Sequence, residues 1–218
     1  MNVFDIIGPV MIGPSSSHTA GAARLGYVAR KILGEPPVQA EIRLSGSFAQ
    51  TFRGHGTDKA LIAGILGFPP DDVRVRDSLE YAAQMGLDYT LRCEEILGAH
   101  PNTTRITLRG ETETVTIQGA SVGGGSILVD EINGMAVQVT AQSNTLVVLH
   151  HDKPGTIAAV TNFVAYSGVN IGNFRLSRPR KGGQAVMTIE VDGDIPDILV
   201  ENLKILPNII HVVLIRAV

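Results

Sequence analysis

Two histidines lie in short runs that are rich in glycine and hydroxyl side chains. His18 lies in GPSSSHT (13–19), and His55 lies between two glycines in RGHGTD (53–58). An unshifted imidazole titrates near neutrality, so either ring is suited to transfer a proton or to donate a hydrogen bond to a ligand. The two histidines are therefore candidates for general acid-base chemistry.

The run around His18 also predicts a site for an anion. A helix is predicted from Ala20 to Leu33, directly after the run, and backbone N–H groups at a helix start attract anions. A carboxylate would suit such a site. The alternative is that the serines only cap the helix and that His18 is a solvated loop residue. The hydroxyl side chains that could converge on the anion are Ser15, Ser16, Ser17 and Thr19.

The glycines around His55 predict a tight loop that aims its imidazole outward, because glycine reaches backbone conformations closed to other residues. Thr57 or Asp58 would then cap a second helix, which ends at Gly67. Asp58 is suited either to orient a histidine or to cap, and we favour the cap. Arg53 could pair with a carboxylate, although such an arginine is more often a solvated surface residue.

The first part of the chain is predicted to mix helices and strands. A strand with period-two alternation follows the first helix at 38–45, and a short helix is expected at 78–85. Thr-, Val- and Ile-rich strands come next, separated by Gly110, Gly119 and the turn at Asn133 and Gly134. The glycine-rich piece 119–126 lacks the Lys-Ser or Lys-Thr of a phosphate loop, so a flexible hairpin or an interface loop is the better interpretation.

The last third predicts a ferredoxin-like unit. Strands and helices alternate from Leu146 in the order βαββαβ, with the turn DKPG (152–155) leading into its first helix. In this helix Ile157, Val160, Thr161 and Val164 are predicted to share one face. The polar stretch 140–145 is the predicted boundary, which gives domains at 1–143 and 146–218. The overall class is α+β.

Composition excludes several classes of function. The chain has 218 residues, 44% hydrophobic and 18% charged, and its net charge of −3 is scattered without a basic stripe for nucleic acid. Gly8, Pro9, Gly13 and Pro14 interrupt the early apolar run, and no apolar stretch approaches the roughly 20 residues that span a bilayer. We expect a cytoplasmic protein without membrane or nucleic-acid partners.

The chain contains a single cysteine. Cys93 cannot form an internal disulfide, and one thiolate cannot hold an iron-sulfur cluster, which normally takes several. The acidic residues Glu94 and Glu95 follow it and disfavour its thiolate, so a structural role is expected. No metal is therefore expected to be held by this chain alone.

Three stretches carry a resemblance to known families. VFDIIGPVMIGPSSSHTAGAARLG (3–26) resembles the start of the beta subunit of iron-sulfur-dependent L-serine dehydratase, and GSFAQTFRGHGTDKALIAGILG (46–67) resembles that family's second signature. HHDKPGTIAAV (150–160) and SGVNIGNF (167–174) resemble an ACT domain, a module that commonly binds amino acids at a dimer interface. Together these stretches and their flanks cover most of the chain.

The resemblance implies a function for the first domain. It is similar to the allosteric substrate binding domain, which some phosphoglycerate dehydrogenases also carry. In the two-chain dehydratase, which converts L-serine to pyruvate and ammonia, a 4Fe-4S cluster lies on a separate alpha subunit. The resemblance thus implies a beta subunit that is inactive alone, with His18 and His55 as catalytic residues. Implied substrate-binding residues are Ser15, Ser16, Ser17, Thr19, Thr57 and Asp58.

The resemblance implies self-association and effector binding for the ACT domain. The implied effector residues are His150, Asp152 and Asn170, although some serine-binding ACT domains carry Asn in the turn where this chain has Asp152. The structural alternative is that Asp152, Pro154 and Gly155 only build the turn. A second function therefore stays open, that of a non-catalytic regulatory module which senses an amino acid through its ACT domain.

Overall fold

The computed structural model describes residues 10–217, so residues 3–9 of the first motif, with the predicted break at Gly8 and Pro9, lie outside the described residues. A π-helical turn (Ser16–Gly21) runs directly into helix α1 (Ala22–Leu33), which ends at Gly34 as predicted. Ser15 is the N-cap, and its side chain accepts a hydrogen bond from the His18 N–H. The predicted loop before the helix is therefore wrong from Ser16 onward.

Helix α1 packs closely against helix α3 (Thr57–Leu66) because both carry a glycine at the contact. A Cβ on Gly26 would lie 2.3 Å from the Leu61 carbonyl oxygen, and one on Gly64 would lie 2.0 Å from the Ala23 carbonyl oxygen. No larger residue fits at these positions without moving a backbone. This contact fixes the start of α1 beside the start of α3.

Helix α2 (Gly46–His55) replaces the predicted tight loop around His55. Gly54 is helical and His55 is the last residue of α2, so only Gly56, with φ of 67°, has the left-handed conformation. Gly56 is also the N-cap of α3, which has no side-chain cap. The predicted capping by Thr57 or Asp58 is therefore wrong, because a single left-handed glycine joins the two helices without a loop.

The first unit's sheet lies behind these helices. Its strands are β1 (Gln39–Leu44), β2 (Asp88–Cys93), β3 (Thr103–Arg109), β4 (Thr114–Gly123) and β5 (Ser126–Ile132), in the order β2-β1-β3-β4-β5. Strands β1 and β2 pair in parallel, and the other neighbours pair antiparallel. A 3₁₀ turn (Val73–Asp77) and helix α4 (Ser78–Gln84) precede β2. Buried side chains on these strands include Ile42, Leu44, Ile106, Leu108 and Ile117.

Gly119 lies inside β4, so its predicted role as a strand separator is wrong. A Cβ there would lie 2.9 Å from the Leu128 carbonyl oxygen and 2.9 Å from Leu25 Cδ2. Glycine is thus needed for the approach of α1 to the sheet. The hairpin predicted for the glycine-rich piece is present between β4 and β5, where Gly123, Gly124 and Gly125 have positive φ.

The second unit contains the predicted βαββαβ order. After β6 (Met135–Val139) come β7 (Thr145–His151), α5 (Thr156–Tyr166), β8 (Asn170–Ser177), β9 (Gln184–Asp192), α6 (Asp197–Lys204) and β10 (Ile209–Ile215). The antiparallel sheet has the order β10-β7-β9-β8, which is ferredoxin-like and confirms the predicted fold class. Val160 and Val164 of α5 are buried, whereas Ile157 on the same helix is 40% exposed.

The chain divides into two compact units between Asn133 and Gly134. The predicted boundary at 140–145 lies a few residues later and stays a prediction. Within residues 10–217, no helix is long and apolar enough to cross a membrane.

Candidate functional site

His18 and His55 lie side by side although 36 other residues separate them in the sequence. Their ring centroids are 4.8 Å apart with an interplanar angle of 37°. The Phe48 and His18 rings make a T-shaped contact with a centroid distance of 5.3 Å. The π-helical turn before α1 supplies His18, and α2 supplies both Phe48 and His55. The two histidines that were predicted separately therefore form one cluster.

Hydroxyl side chains hold this histidine pair, defined as His18 and His55. His18 Nε2 lies 3.1 Å from Ser47 Oγ, and His18 Nδ1 lies 3.4 Å from Ser15 Oγ. Thr19 Oγ1 donates to the His55 carbonyl oxygen at 3.2 Å. Ser47 was not predicted as a site residue, because its only signal in the sequence was its place at the start of the 46–67 motif.

Burial and the neighbouring His55 favour the neutral form of His18. Desolvation by burial lowers the pKa of His18, and the neighbouring His55 lowers this pKa further. His18 is consequently neutral at neutral pH, with one ring nitrogen that donates and one that accepts. His55 Nδ1 is buried without a hydrogen-bond partner among the described residues, which leaves a polar atom unsatisfied beside His18.

An open cleft of about 520 Å³ adjoins His55. Thr19 and Gly13 line it on one side, and Gly13 must lack a side chain because a Cβ there would lie 2.4 Å from Thr19 Cγ2. The cationic residues along the cleft are Arg53, Lys59 and Arg76. Lys59 and Arg76 were not identified from the sequence, because nothing in their spacing connects them to either histidine.

The other residues predicted for the substrate lie near this cluster with mixed environments. Ser16 and Ser17 are half-buried on the π-helical turn. Thr57 is fully buried, and its Oγ1 has no hydrogen-bond partner in the described part of the chain. Asp58 lies in the first turn of α3, where its carboxylate accepts from the Lys59 N–H at 2.8 Å.

The predicted effector residues of the second unit are engaged in local contacts. His150 is buried, and its Nδ1 lies 2.9 Å from the His151 carbonyl oxygen. The Asp152 carboxylate accepts from the Gly182 N–H and from Arg178. The Gly182 N–H chiefly, and Arg178 next, lower the pKa of Asp152. Asn170 donates to the Asp192 carboxylate at 2.6 Å.

The sheet register separates Asn170 from the other two effector residues. His150 lies opposite Ala185 on β9, whereas Asn170 lies opposite Asp192. Seven residues of extended strand correspond to roughly 23 Å. A single copy of the chain therefore does not bring these three side chains together.

The described residues do not fit an iron-sulfur cluster. Among residues 10–217, no three His, Cys, Asp or Glu side chains are grouped so that they could hold a metal ion. Cys93, the single cysteine of the chain, is exposed on β2 with its Sγ 3.5 Å from the Ala49 carbonyl oxygen. A cluster normally takes several thiolates, which this chain cannot supply.

Comparison with known proteins gives two family matches and several relatives. Residues 2–132 match the model described as "Serine dehydratase beta chain", and residues 144–208 match the ACT domain model. The probable L-serine dehydratase beta chain of Bacillus subtilis (strain 168) is 46% identical over 211 residues, which cover 97% of this chain and 96% of that protein.

Two more distant relatives share both parts of the chain. The L-serine dehydratase beta chain of Peptoniphilus asaccharolyticus is 39% identical over 195 residues, 88% of this chain and 87% of that protein. A D-3-phosphoglycerate dehydrogenase of Bacillus subtilis (strain 168) is 24% identical over 196 residues, which cover 89% of this chain and only 37% of that protein. The similarity to the two beta chains is thus nearly end to end.

Proposed function

The chain belongs to the serine dehydratase beta chain family, and from this premise we propose that it is the beta chain of a two-chain L-serine dehydratase. The observation that carries the proposal is the histidine pair, with ring centroids 4.8 Å apart and a cleft beside it. Both histidines come from the two N-terminal motifs of the family-matched region. We propose that the pair handles protons during conversion of L-serine to pyruvate and ammonia.

The reaction needs one group that accepts a proton and one that donates. The α-carbon of serine loses a weakly acidic proton, and the β-hydroxyl, a poor leaving group, departs more easily when it is protonated. A neutral His18 has an accepting nitrogen, and the lowered pKa of His18 keeps that nitrogen free of a proton at neutral pH. Two adjacent imidazoles provide both an acceptor and a donor within one cluster.

The polar residues around the histidine pair have two proposed roles, to position the histidines and to bind substrate. Ser15 and Ser47 orient the His18 ring, and Thr19 ties the end of α2 to the start of α1. Orientation of a catalytic imidazole by fixed partners is what proton transfer requires. We assign substrate binding to Thr57, whose buried hydroxyl lacks a partner in the described structure, and to three further residues of the same region, Ser16, Ser17 and Asp58.

Electron withdrawal must come from outside this chain. We propose that an iron-sulfur cluster on a separate alpha chain supplies it as a Lewis acid. The supporting observation is that Cys93 is the only cysteine in 218 residues. In this arrangement the cleft beside His55 lies at the interface with that alpha chain, so that substrate is held between the two chains.

The second unit is proposed to join two copies of the chain. Strand β8 forms an edge of the four-stranded sheet, and it exposes Phe174 at 36% and Leu176 at 38%. Antiparallel pairing of two β8 edges would bring Asn170 of one copy toward the end of the sheet where the other copy has His150 and Asp152. Such pairing accounts for an effector site that a single copy leaves divided.

Anaerobic reconstitution tests this function. The chain is mixed with a cluster-bearing alpha chain, and pyruvate formation from L-serine is followed. We expect turnover from the mixture and none from this chain alone. Light scattering of the purified mixture should give a mass that contains two copies of this chain. Activity from this chain alone, or a stable assembly that never turns over L-serine, would contradict the proposal.

A further inference from the structure

The cleft beside His55 has an unusual charge balance. Its described lining includes Arg53, Lys59 and Arg76, and none of the described lining residues is Asp or Glu. All three cations are exposed. In the described part of the chain none of the three takes part in an ion pair, whereas Arg74, close to Arg76 in sequence, pairs with Asp72. Three positive charges therefore face the cleft without internal compensation.

The run around His18 offers less to an anion than its sequence indicates. The His18 N–H donates to Ser15 Oγ at 3.1 Å, and the Thr19 N–H donates to the Ser15 carbonyl oxygen at 2.8 Å. The His18 and Thr19 N–H groups of the π-helical turn are thus already engaged. For an anion in the cleft beside His55, the three cations are the positively charged donors among the described lining residues.

The size and exposure of the cleft define the class of ligand. A volume of about 520 Å³ lies in the range typical of small-molecule sites. Arginine presents paired donors that match a carboxylate, and lysine adds a point charge. Because the cations are solvated, each attracts an anion weakly, and salt should weaken the attraction further.

We propose that Arg53, Lys59 and Arg76 form a carboxylate-binding rim, which holds the carboxylate group of a small amino acid in the cleft beside His55. The proposal rests on the proposed function only for the choice of L-serine as that amino acid. In this arrangement the rim fixes one end of the ligand while the histidine pair faces the other. The rim residues are substrate-positioning groups, and proton transfer belongs to the histidines.

Binding to the isolated full-length chain tests the rim without any partner. The imidazole resonances of His18 and His55 are followed by NMR during titration with L-serine or with L-serinamide, which lacks the carboxylate. We expect L-serine to bind with a Kd on the order of 1 mM and L-serinamide to bind at least about tenfold more weakly. Raising the ionic strength should weaken the binding of L-serine.

Variants that remove the positive charges then show which residues bind the carboxylate. The double variant Lys59→Gln/Arg76→Gln should weaken L-serine binding by about tenfold or more. Arg92→Gln is the matched control, because Arg92 is an exposed arginine on β2, away from the cleft lining, and it should bind as the wild type does. The single variants Lys59→Gln and Arg76→Gln are titrated in the same way, so the rim can still be tested if the double variant folds poorly.

Three results would overturn the rim: no binding of L-serine by the wild type, equal binding of L-serinamide, or undiminished binding by the folded variants. The proposed function fails in a different way. An assembled enzyme that does not turn over L-serine would refute the function, while L-serine binding that depends on Lys59 and Arg76 would still support the rim.

Discussion

His55 and Thr57 of the first unit differ from Asp152 and Asn170 of the second unit in whether their polar side-chain atoms have hydrogen-bond partners. His55 Nδ1 and Thr57 Oγ1 are buried without described partners. In the second unit Asp152 accepts from Arg178 and Gly182, and Asn170 donates to Asp192. Buried polar groups normally find partners, so those left over near His55 point to a ligand. Asp152 and Asn170 instead stabilise their own turn and strand, whereas His150 Nε2 is buried without a described partner, like His55 Nδ1.

The two regions also differ in how the fold assembles them. The histidine pair depends on contacts distant in sequence, since α1 and α3 must approach through Gly26 and Gly64. The Asp152 turn depends largely on one hairpin end, because Arg178 and Gly182 both belong to the segment between β8 and β9. Substitutions that disturb helix packing should therefore disrupt the histidine pair, and substitutions that remove a local charge should disrupt the Asp152 turn.

The largest effect, a loss of turnover, is expected when the imidazole of either His18 or His55 is removed. His18→Ala or His55→Ala should lower turnover of the assembled enzyme by about 10²–10⁴-fold, the usual contribution of a general acid or base. Steady-state kinetics measures the loss, and light scattering confirms that the chains still assemble. The control is His100→Ala, which alters an exposed histidine outside the cluster.

The histidine comparison also separates the two candidate functions. If the chain were only a sensor, the alanine variants would keep full turnover and change the response to effector alone. Turnover within about threefold of the wild type in both variants would contradict the proton-transfer role of the pair, since even a modest acid-base contribution exceeds that.

Local sequence patterns predicted the second unit well. Period-two strands and short helices alternate there, so the order βαββαβ follows from residues that are neighbours in the chain. The helix ends at Gly34 and Gly67 were also predictable from the sequence, because each glycine directly follows an apolar helical pattern, and both have positive φ in the structure. These features depend on local backbone preferences, which can be inferred directly from the types of neighbouring residues.

The candidate site was only partly predictable. The sequence identified His18 and His55 from their surroundings, but it could not give their 4.8 Å separation, which depends on the α1–α3 contact. Lys59 and Arg76 were missed because α3 and the 3₁₀ turn bring them to the cleft from different parts of the chain. Helix α2 was missed because glycines on both sides of His55 favoured a loop, although only Gly56 is left-handed.

Disruption of the helix contact should have the second largest effect. Gly64→Ala places a Cβ 2.0 Å from the Ala23 carbonyl oxygen, so the helices must move apart at a cost of about 3 kcal/mol in the free energy of unfolding. Gly54→Ala is the matched control, because no atom lies within 4 Å of its Cβ position. In the helical setting of Gly54, alanine should be neutral or stabilising by up to about 1 kcal/mol.

Urea unfolding of both glycine variants measures these changes. We expect the free energy of unfolding of Gly64→Ala to be well below that of the wild type, and that of Gly54→Ala to be equal to it or higher. Equal stability of the two variants would mean that the α1–α3 glycine contact does not hold the histidine pair in place. The same result would weaken the contrast between a packing-dependent first region and a charge-dependent second one.

The smallest effect is expected at the Asp152 turn. The folded-state pKa of Asp152 is lowered, so its contribution to stability is present above the unfolded pKa of about 3.9 and is lost as the pH falls through the folded value. Asp152→Asn should therefore speed amide hydrogen exchange at Gly182 relative to the wild type at neutral pH, after correction for intrinsic exchange. The difference should shrink as the pH falls through the lowered folded-state pKa of Asp152. Asp194→Asn, at an exposed residue, serves as the control. A difference that persisted in acid would show that the carboxylate charge does not hold this turn.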